Sequence, residues 1–287
     1  MDIFENKKYE KWSESYWRQI SRNIGLIKAS EQDLLKETPI TIFGTGGMGG
    51  PLAEQLVRAG CEKIIICDND RYEETNLNRQ LCTREDLRKY KVDVIENFLI
   101  KINSNIDIKK FYDISEENIS GLLKDAKIAA LLLDDPIASI LISRECLIKK
   151  IPLIESWAIP YLCAWWFTEK SVDYEKCYGF DTHNMSIKQI KDNRNILSNL
   201  KKKMFYRLLK FPKIRERYDR EQGAVNGMLS GQLTGRSFAP IVRLMSSYVA
   251  IEVIFTGILK LKKMILAPNI IGYDYFQMKP FEISFLD

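Results

Sequence analysis

The sequence predicts an α/β fold: a mostly parallel sheet with helices on both faces and an antiparallel extension toward the C-terminus. Two patterns lead to this prediction. Short, continuous apolar runs alternate with helical patterns through the first half of the chain, which is the order that builds a parallel sheet covered on both sides. The chain also has 287 residues, 46% of them hydrophobic and 28% charged, a composition typical of a globular protein with a substantial core.

The individual elements follow from apolar spacing. β-Branched runs predict strands at 39–43, 63–67, 106–112, 128–133 and 152–155, with later strands at 163–168 and 270–276. Helical spacing predicts surface helices within 2–35, further helices at 48–59, 87–101 and 138–150, and a basic helical segment at 186–218 interrupted by Pro212. The apolar stretch 238–261 carries Arg243 and Glu252. Because charges inside a bilayer are costly, a buried core helix is predicted there rather than a membrane span.

These elements predict one domain over residues 1–287. Its parts are an N-terminal helical element (1–37), a nucleotide-binding core (38–180), a basic insertion or crossover region (181–236), and a C-terminal helix with strands (237–287). The net charge is +5, but residues 188–220 alone carry +9, so the rest of the chain carries −4. This distribution argues against a nucleic-acid-binding surface over the whole protein and leaves a local one open.

The cysteines and the N-terminal residues indicate the cellular compartment of the protein. None of the six cysteines forms a CxxC pair, and Cys61 and Cys67 flank an apolar run. Reduced thiols and a cytoplasmic location are therefore expected. The charged and polar first residues predict no secretory signal.

A glycine cluster lies between the first predicted strand and the helix that follows it, at Gly44, Gly46, Gly47 and Gly49. Such a loop lets backbone N–H groups approach a phosphate at the positive end of a helix, as in a Rossmann-like nucleotide-binding unit. Asp68 ends the next strand, where a carboxylate can accept hydrogen bonds from ribose hydroxyls. NAD and ATP both fit this pattern, and a tight turn without a ligand is the remaining reading.

The residues after Asp68 favour a triphosphate. Polar and charged side chains follow the second strand and begin the next helix: Asp70, Asn76, Arg79, Gln80 and Lys91. Cations aimed at phosphates stabilise the charge that develops during a displacement, which a dinucleotide dehydrogenase does not require at this place. Asp134 ends the 128–133 strand and suits Mg²⁺. Surface salt bridges for Arg79 and Lys91, and a helix cap for Asp134, are the alternatives.

In combination, these motifs resemble those of the ThiF/MoeB/HesA family, the bacterial relatives of ubiquitin-activating enzymes, over about residues 16–260. The resemblance implies ATP- and Mg²⁺-dependent adenylation of a carboxylate with release of pyrophosphate. The carboxylate is commonly the C-terminus of a ubiquitin-like sulfur carrier protein, and a small peptide is another substrate of this kind. It also implies roles for site residues: Asp68 binds the ribose, Asp134 binds Mg²⁺, and the phosphates are bound by Asn76, Arg79, Gln80 and Lys91.

The N-terminal run Tyr16-Trp17-Arg18-Gln19-Ile20 resembles a family element whose arginine reaches into the ATP site of a partner subunit. The resemblance therefore implies a homodimer in which Arg18 acts in trans. Two family features are missing from the sequence. Only Cys177 matches the zinc-binding cysteines, and residues 231–240 contain no cysteine for a thioester. Adenylation without a covalent cysteine step is expected.

Several alternatives stay open. The basic residues 188–220 form either a docking surface for an acidic carrier, a peptide or tRNA, or a solvated helix with Phe205, Tyr206 and Phe211 packed beneath it. A dehydratase acting on tRNA threonylcarbamoyl-adenosine and a peptide-modifying enzyme of the microcin type would use the same chemistry. An NAD(P)-binding oxidoreductase or a nucleotide-binding regulator would use the same fold. His183 is predicted to be a loop residue.

Overall fold

The computed structural model describes residues 11–286, so the helix prediction for residues 2–10 lies outside the described chain. Its helices are Glu14–Ile20 (α1), Ala29–Glu37 (α2), Gly49–Arg58 (α3), Lys91–Ile102 (α4), Ile119–Leu122 (α5), Pro136–Lys149 (α6), Tyr174–Tyr178 (α7), Ile187–Asp192 (α8), Arg194–Leu208 (α9), Ile214–Tyr218 (α10), Ala224–Ser230 (α11) and Ala239–Ile251 (α12). Its strands are Ile40–Phe43 (β1), Lys63–Cys67 (β2), Asp107–Phe111 (β3), Ile128–Leu131 (β4), Leu153–Glu155 (β5), Tyr161–Leu162 (β6), Trp165–Phe167 (β7), Asn269–Asp274 (β8) and Lys279–Ser284 (β9).

A six-stranded sheet forms the centre of the molecule, in the order β3-β2-β1-β4-β5-β7. The first five strands are parallel and β7 runs antiparallel to β5. The predicted α/β fold is therefore confirmed. The strand predicted at 270–276 does not extend this sheet, because β8 pairs with β6 and β9 in a separate three-stranded antiparallel sheet.

Alternate residues of the central strands enter two different cores. In β2, Ile64 and Ile66 pack on one face of the sheet, while Ile65 and Cys67 pack on the other. Successive side chains of a strand point to opposite faces, so a strand covered on both sides must be apolar throughout. Helices α3, α4 and α12 cover the first face, and α5 to α10 with the second sheet cover the other. This explains why the central strands appear in the sequence as unbroken apolar runs.

The helix predicted from residue 87 begins instead at Lys91. Arg88 has φ of 70°, a left-handed conformation that a right-handed helix cannot include. The backbone N–H of Arg88 donates to the carbonyl of Tyr72, which ties this segment to the loop after β2. The short helices α5, α7 and α11 were not predicted, since each has seven residues or fewer and too little sequence to show a period.

Helix α12 continues as a π-helix over Glu252–Ile258 and is a core element. Within residues 11–286, Ala239–Ile258 is the one helix long and apolar enough to cross a membrane. Val242, Met245 and Val249 are nevertheless buried in the core beside α3. Buried Glu252 pairs with Lys262. These contacts agree with the prediction of a buried helix in this stretch.

Several basic side chains of the segment 188–220 bind oxygen atoms elsewhere in the fold and so attach the segment to it. Arg217 forms an ion pair with the fully buried Asp274 of β8 (Nη2 to Oδ2, 2.8 Å). Lys203 donates to the carbonyl oxygen of Gly179 (2.6 Å), and Arg207 donates to that of Phe285. Of the three aromatic residues that one alternative packs beneath this segment, Phe211 is buried, Phe205 is half-buried and Tyr206 is 56% exposed.

Replacing Arg217 with alanine should lower the free energy of unfolding by about 3 kcal/mol at neutral pH, because it leaves the buried Asp274 carboxylate without its cation. Burial disfavours the charged form of Asp274, but the hydrogen bonds from Arg217 prevail and hold its pKa below the usual range. The stabilisation is therefore present above the ordinary carboxyl pKa of about 4 and is lost as the pH falls through the lower folded value.

Urea unfolding at pH 7 and at acidic pH measures this effect. Arg215→Ala on the same helix is the control, since Arg215 is exposed and forms no salt bridge with any residue from 11 to 286. An equal loss of stability in both variants, or a loss for Arg217→Ala that does not shrink in acid, would contradict the assignment.

Candidate nucleotide site

The carboxyl ends of β2, β1, β4 and β5 lie side by side in the sheet and open into one cavity of about 800 Å³. Ligands of open parallel sheets bind at this edge, where the loops of neighbouring strands diverge. The cavity is lined by most of the residues predicted to bind a nucleotide, namely Gly44, Gly46, Gly47, Asp68, Asp70, Asn76, Arg79, Gln80, Lys91 and Asp134. Gly49 and Arg18 are predicted site residues that do not line it.

Glycines shape the loop between β1 and α3 in two different ways. A Cβ at Gly49 would lie 1.7 Å from the carbonyl oxygen of Gly44, and one at Gly44 would lie 2.6 Å from that of Leu132. Those two positions need glycine for the backbone to pack. A Cβ at Gly46 would instead meet only the side chain of Gln80, at 3.7 Å or more. The absence of a side chain at Gly46 therefore leaves space in the cavity.

Asp68 fixes the glycine loop to the end of β2. The backbone N–H and the hydroxyl of Thr45 both donate to Asp68 Oδ2, at 2.7 and 3.1 Å, and the N–H of Asp70 donates to Oδ1. Burial raises the pKa of Asp68 above its usual value, while the charge of Lys91 opposes the shift. Thr45 has a positioning role that the sequence analysis did not identify, since a threonine inside a glycine cluster carries no distinctive pattern.

Arg79 and Gln80 line the cavity beside the glycine loop. Arg79 Nη1 donates to the carbonyl oxygen of Thr75 and to Asn78 Oδ1, which holds its guanidinium in place. Gln80 is nearly buried, and its Oε1 has no hydrogen-bond partner. A buried polar atom without a partner is costly, so it marks a place where a ligand can contribute. Asn76 is held by the N–H of Glu73, which donates to its Oδ1.

Lys91 is a buried cation at the first position of α4. Its Nζ donates to Asp70 Oδ2 at 2.6 Å, and the Lys91 side chain is 8% exposed against 62% for Asp70. The salt bridge that was the alternative to a ligand role is thus present. Since Asp70 and Lys91 both line the cavity, the pair also holds the ammonium group at the cavity wall.

Two successive aspartates follow β4 and differ in their contacts. Asp135 caps α6, because its Oδ1 accepts hydrogen bonds from the N–H groups of Ile137 and Ala138. The helix cap is therefore Asp135 and not Asp134. Asp134 lines the cavity and is exposed. One carboxylate together with phosphate oxygens is a donor set that Mg²⁺ accepts, so the residues at this position fit that ion.

The wall on the β5 side was missed by the sequence analysis. Ser156, Trp157 and Ala158 directly follow β5 and line the cavity, together with Leu197 and Lys201 of α9. The rule that pointed to Asp68 and Asp134, a polar residue at the end of a strand, also applies to Ser156. No sequence signal locates Leu197 and Lys201, because the position of α9 depends on its packing against α6 and α7.

Glu155, the last residue of β5, is buried and hydrogen-bonded directly before the cavity residues 156–158. Its Oε2 accepts hydrogen bonds from Trp165 Nε1 at 3.0 Å and from the Tyr178 hydroxyl at 2.7 Å. Burial raises the pKa of Glu155 to about 7, against the lowering effect of these hydrogen bonds.

The thiols of Cys67 and Cys177 are buried, and burial raises the pKa of Cys67 to about 12. These two thiols are therefore protonated and poor nucleophiles near neutral pH.

Arg18 lies on the surface, away from the cavity of its own chain. Its side chain is 77% exposed and contacts Glu14 one turn earlier in α1 (2.5 Å). The opposite side of α1 is anchored, since the hydroxyl of Tyr16 donates to the carbonyl oxygen of Gly60. His183 is also exposed, as predicted for a loop residue, and pairs with Asp173.

Comparison with known proteins identifies the family of the chain. The profile of the ThiF family matches residues 18–285. A sulfur carrier protein ThiS adenylyltransferase of Bacillus subtilis is 36% identical over 132 residues, which cover 45% of this chain and 39% of that protein. A tRNA threonylcarbamoyladenosine dehydratase of the same organism is 32% identical over 143 residues, covering 48% and 56%. The matched part thus covers about two fifths of the length of the first relative and just over half of the length of the second.

Solved structures share the fold at low sequence identity. The crystal structure of PaaA has a TM-score of 0.67 at 20% identity, and covers 96% of this chain and 85% of that one. The Escherichia coli protein MccB, crystallised with ATP, has a TM-score of 0.62 at 22% identity, covering 89% and 66%.

The two kinds of glycine should respond differently to alanine. Gly49→Ala should destabilise the fold by about 3 kcal/mol or more, because the new methyl group overlaps the carbonyl oxygen of Gly44 and the backbone must move. Gly46→Ala should leave thermal unfolding close to that of the wild type, since its Cβ has room. Calorimetric unfolding of both variants checks this, and equal destabilisation would show that the loop is not packed as described.

Proposed function

Because the chain belongs to the ThiF family, we propose that it is an ATP-dependent adenylyltransferase that activates a carboxylate as its acyl adenylate. The observation that carries the proposal is a single cavity whose lining brings together a glycine loop, cations and carboxylates, among them Gly46, Arg79, Lys91, Asp68 and Asp134. The most favoured substrate is the C-terminal carboxylate of a ubiquitin-like sulfur carrier protein or of a small peptide. ATP is the second substrate.

The proposed reaction requires alignment rather than a catalytic base. A carboxylate is already ionised at neutral pH, so one of its oxygens attacks the α-phosphorus of ATP, and the bond from that phosphorus to the bridging oxygen of the β-phosphate breaks. The products are an acyl adenylate and pyrophosphate. Holding two anions in contact is the principal energetic cost, and fixed cations reduce it.

The proposed roles follow the positions of the side chains. Asp68 accepts hydrogen bonds from the ribose, while Arg79, Lys91, Asn76 and Gln80 bind the phosphates. Asp134 holds Mg²⁺, which neutralises phosphate charge when bound. Cys67 and Cys177 are buried, and Cys82, which is half-buried, does not line the cavity. This supports a reaction without a covalent cysteine step.

The proposal includes a homodimer and a cytoplasmic location. Arg18 is exposed, paired with the also exposed Glu14, and lies outside the cavity of its own chain, so it is accessible to the site of a second copy. The basic segment 188–220 is proposed to face the acidic or peptide substrate. All six cysteines are free, which fits a reducing compartment.

The second candidate is a dehydratase acting on tRNA threonylcarbamoyladenosine, favoured by the 32% identity to that enzyme. It uses the same activation of a carboxylate by ATP. A tRNA substrate would approach through the basic segment, but four of its cations, Lys203, Arg207, Lys210 and Arg217, are already bound to protein oxygens. The carrier protein or peptide stays the first candidate because the identity to the ThiS adenylyltransferase is higher, at 36%.

Exchange of labelled pyrophosphate into ATP, in the presence of candidate carrier proteins, peptides ending in glycine, or modified tRNA, tests the proposed function. Asp134→Asn should lower exchange by about 100-fold, because a neutral amide binds Mg²⁺ more weakly than a carboxylate and the charge between the two anions is then less neutralised. It should leave unfolding unchanged, since Asp134 is exposed. Asp125→Asn, a change at another exposed aspartate, is the control. Tight NAD binding without exchange for any candidate would contradict the proposal.

Mixed dimers test the trans role of Arg18. Arg18→Ala and Asp134→Asn subunits should each be inactive alone, and mixing them should restore up to about a quarter to a half of the activity, since one site of a mixed dimer contains both intact residues. Exchange activity with differently tagged subunits measures the rescue. Mixed dimers that form but stay inactive would refute a role in trans, as would full activity of Arg18→Ala alone.

A further inference from the structure

Helix α9 presents one lysine to the nucleotide cavity. Of the basic residues in 188–220, Lys201 is the one that lines the cavity, and Leu197, four residues earlier, lies beside it. Residues four apart occupy the same face of a helix. The face of α9 that looks toward the cavity therefore carries an apolar residue and a cation.

The two lysines that follow have different surroundings. Lys202 is exposed, as Lys201 is, but does not line the cavity. Lys203 is bound into the fold, since its Nζ donates to the carbonyl oxygen of Gly179 and to Asp181 Oδ2 (2.7 Å). Lys201 forms no salt bridge within 4.0 Å to any residue in 11–286. Of the three consecutive lysines, Lys201 therefore lines the cavity, Lys202 lies on the surface and Lys203 binds to other parts of the fold.

The sheet order shows which side of the cavity Lys201 occupies. Asp68 follows β2, whereas Trp157 follows β5, three strands away across β1 and β4. At about 4.8 Å between strands, these ends are separated by roughly 14 Å. Helix α9 packs against α6 and α7, and α6 leads from β4 into β5. Lys201 therefore lies on the β4–β5 side, opposite the carboxylate proposed to hold the ribose.

Resting on the proposed function, we propose that Lys201 contacts the carboxylate substrate rather than the nucleotide. The apolar cavity residues on this side are Ile137, Ala138, Trp157, Ala158 and Leu197. The two carboxylates here have other roles, since Asp135 caps α6 and Asp134 is proposed to hold Mg²⁺. A cation in this setting binds the carboxylate oxygen as it meets the α-phosphate, and the apolar wall accepts an uncharged group next to that carboxylate. The substrate class is a chain ending in a small or apolar residue with a free carboxylate.

Calorimetric titration with two adenosine compounds tests this role. AMP contains only the nucleotide part, whereas 5′-O-[N-(N-acetylglycyl)sulfamoyl]adenosine adds a carbonyl group at the position of the substrate. Lys201→Ala should weaken binding of the acetylglycyl compound by about tenfold, the effect of one charge-assisted hydrogen bond in a partly exposed site, and change AMP binding by less than about twofold. Lys202→Ala is the matched control and should change neither.

The results separate the possibilities. Equal weakening of both compounds would make Lys201 a nucleotide ligand and overturn the proposal. No weakening, an equal effect of Lys202→Ala, or no preference of the wild type for the acetylglycyl compound over AMP would also overturn it. A wild-type protein that binds neither AMP nor α,β-methylene-ATP would instead overturn the proposed adenylation itself.

Discussion

The hydrogen bonds between Asp68 and Thr45 are the interaction on which the geometry of the site depends. Through them a carboxylate at the end of β2 fixes the glycine loop at the end of β1. Parallel strands make this possible, because their carboxyl ends meet at one edge and their loops can contact each other there. The loop in turn sets the start of α3, where Gly49 packs against the carbonyl of Gly44. The cations that follow β2, Arg79 and Lys91, line the cavity beside this loop.

The parts of the site near strand ends could be predicted from the sequence. A buried parallel strand is apolar throughout, so the first polar residue after it marks the sheet edge, as Asp68 and Asp134 do. Lys91 was also placed correctly at the start of a helix, although the helix prediction began four residues too early. Arg88 breaks that helix through its left-handed backbone, which side-chain periodicity does not reveal.

Features that depend on distant contacts could not be predicted. Arg217 and Asp274 are 57 residues apart and meet only because α10 packs on the second sheet. Lys201 lines the cavity for a similar reason, since the packing of α9 decides which of three adjacent lysines lies at the cavity wall. The sequence shows a net positive segment, whereas the structure divides it into cations that anchor the fold and cations that remain available to a ligand.

The central claim is that a carboxylate oxygen attacks the α-phosphorus of ATP. The most direct test uses the carboxylate that supports pyrophosphate exchange, labelled with ¹⁸O, and mass spectrometry of the nucleotide released after the acyl group has been transferred. The mechanism predicts AMP carrying one ¹⁸O atom, because the oxygen that bridges the acyl group and the phosphorus comes from the substrate. Unlabelled AMP, or ADP with the label in inorganic phosphate, would contradict it.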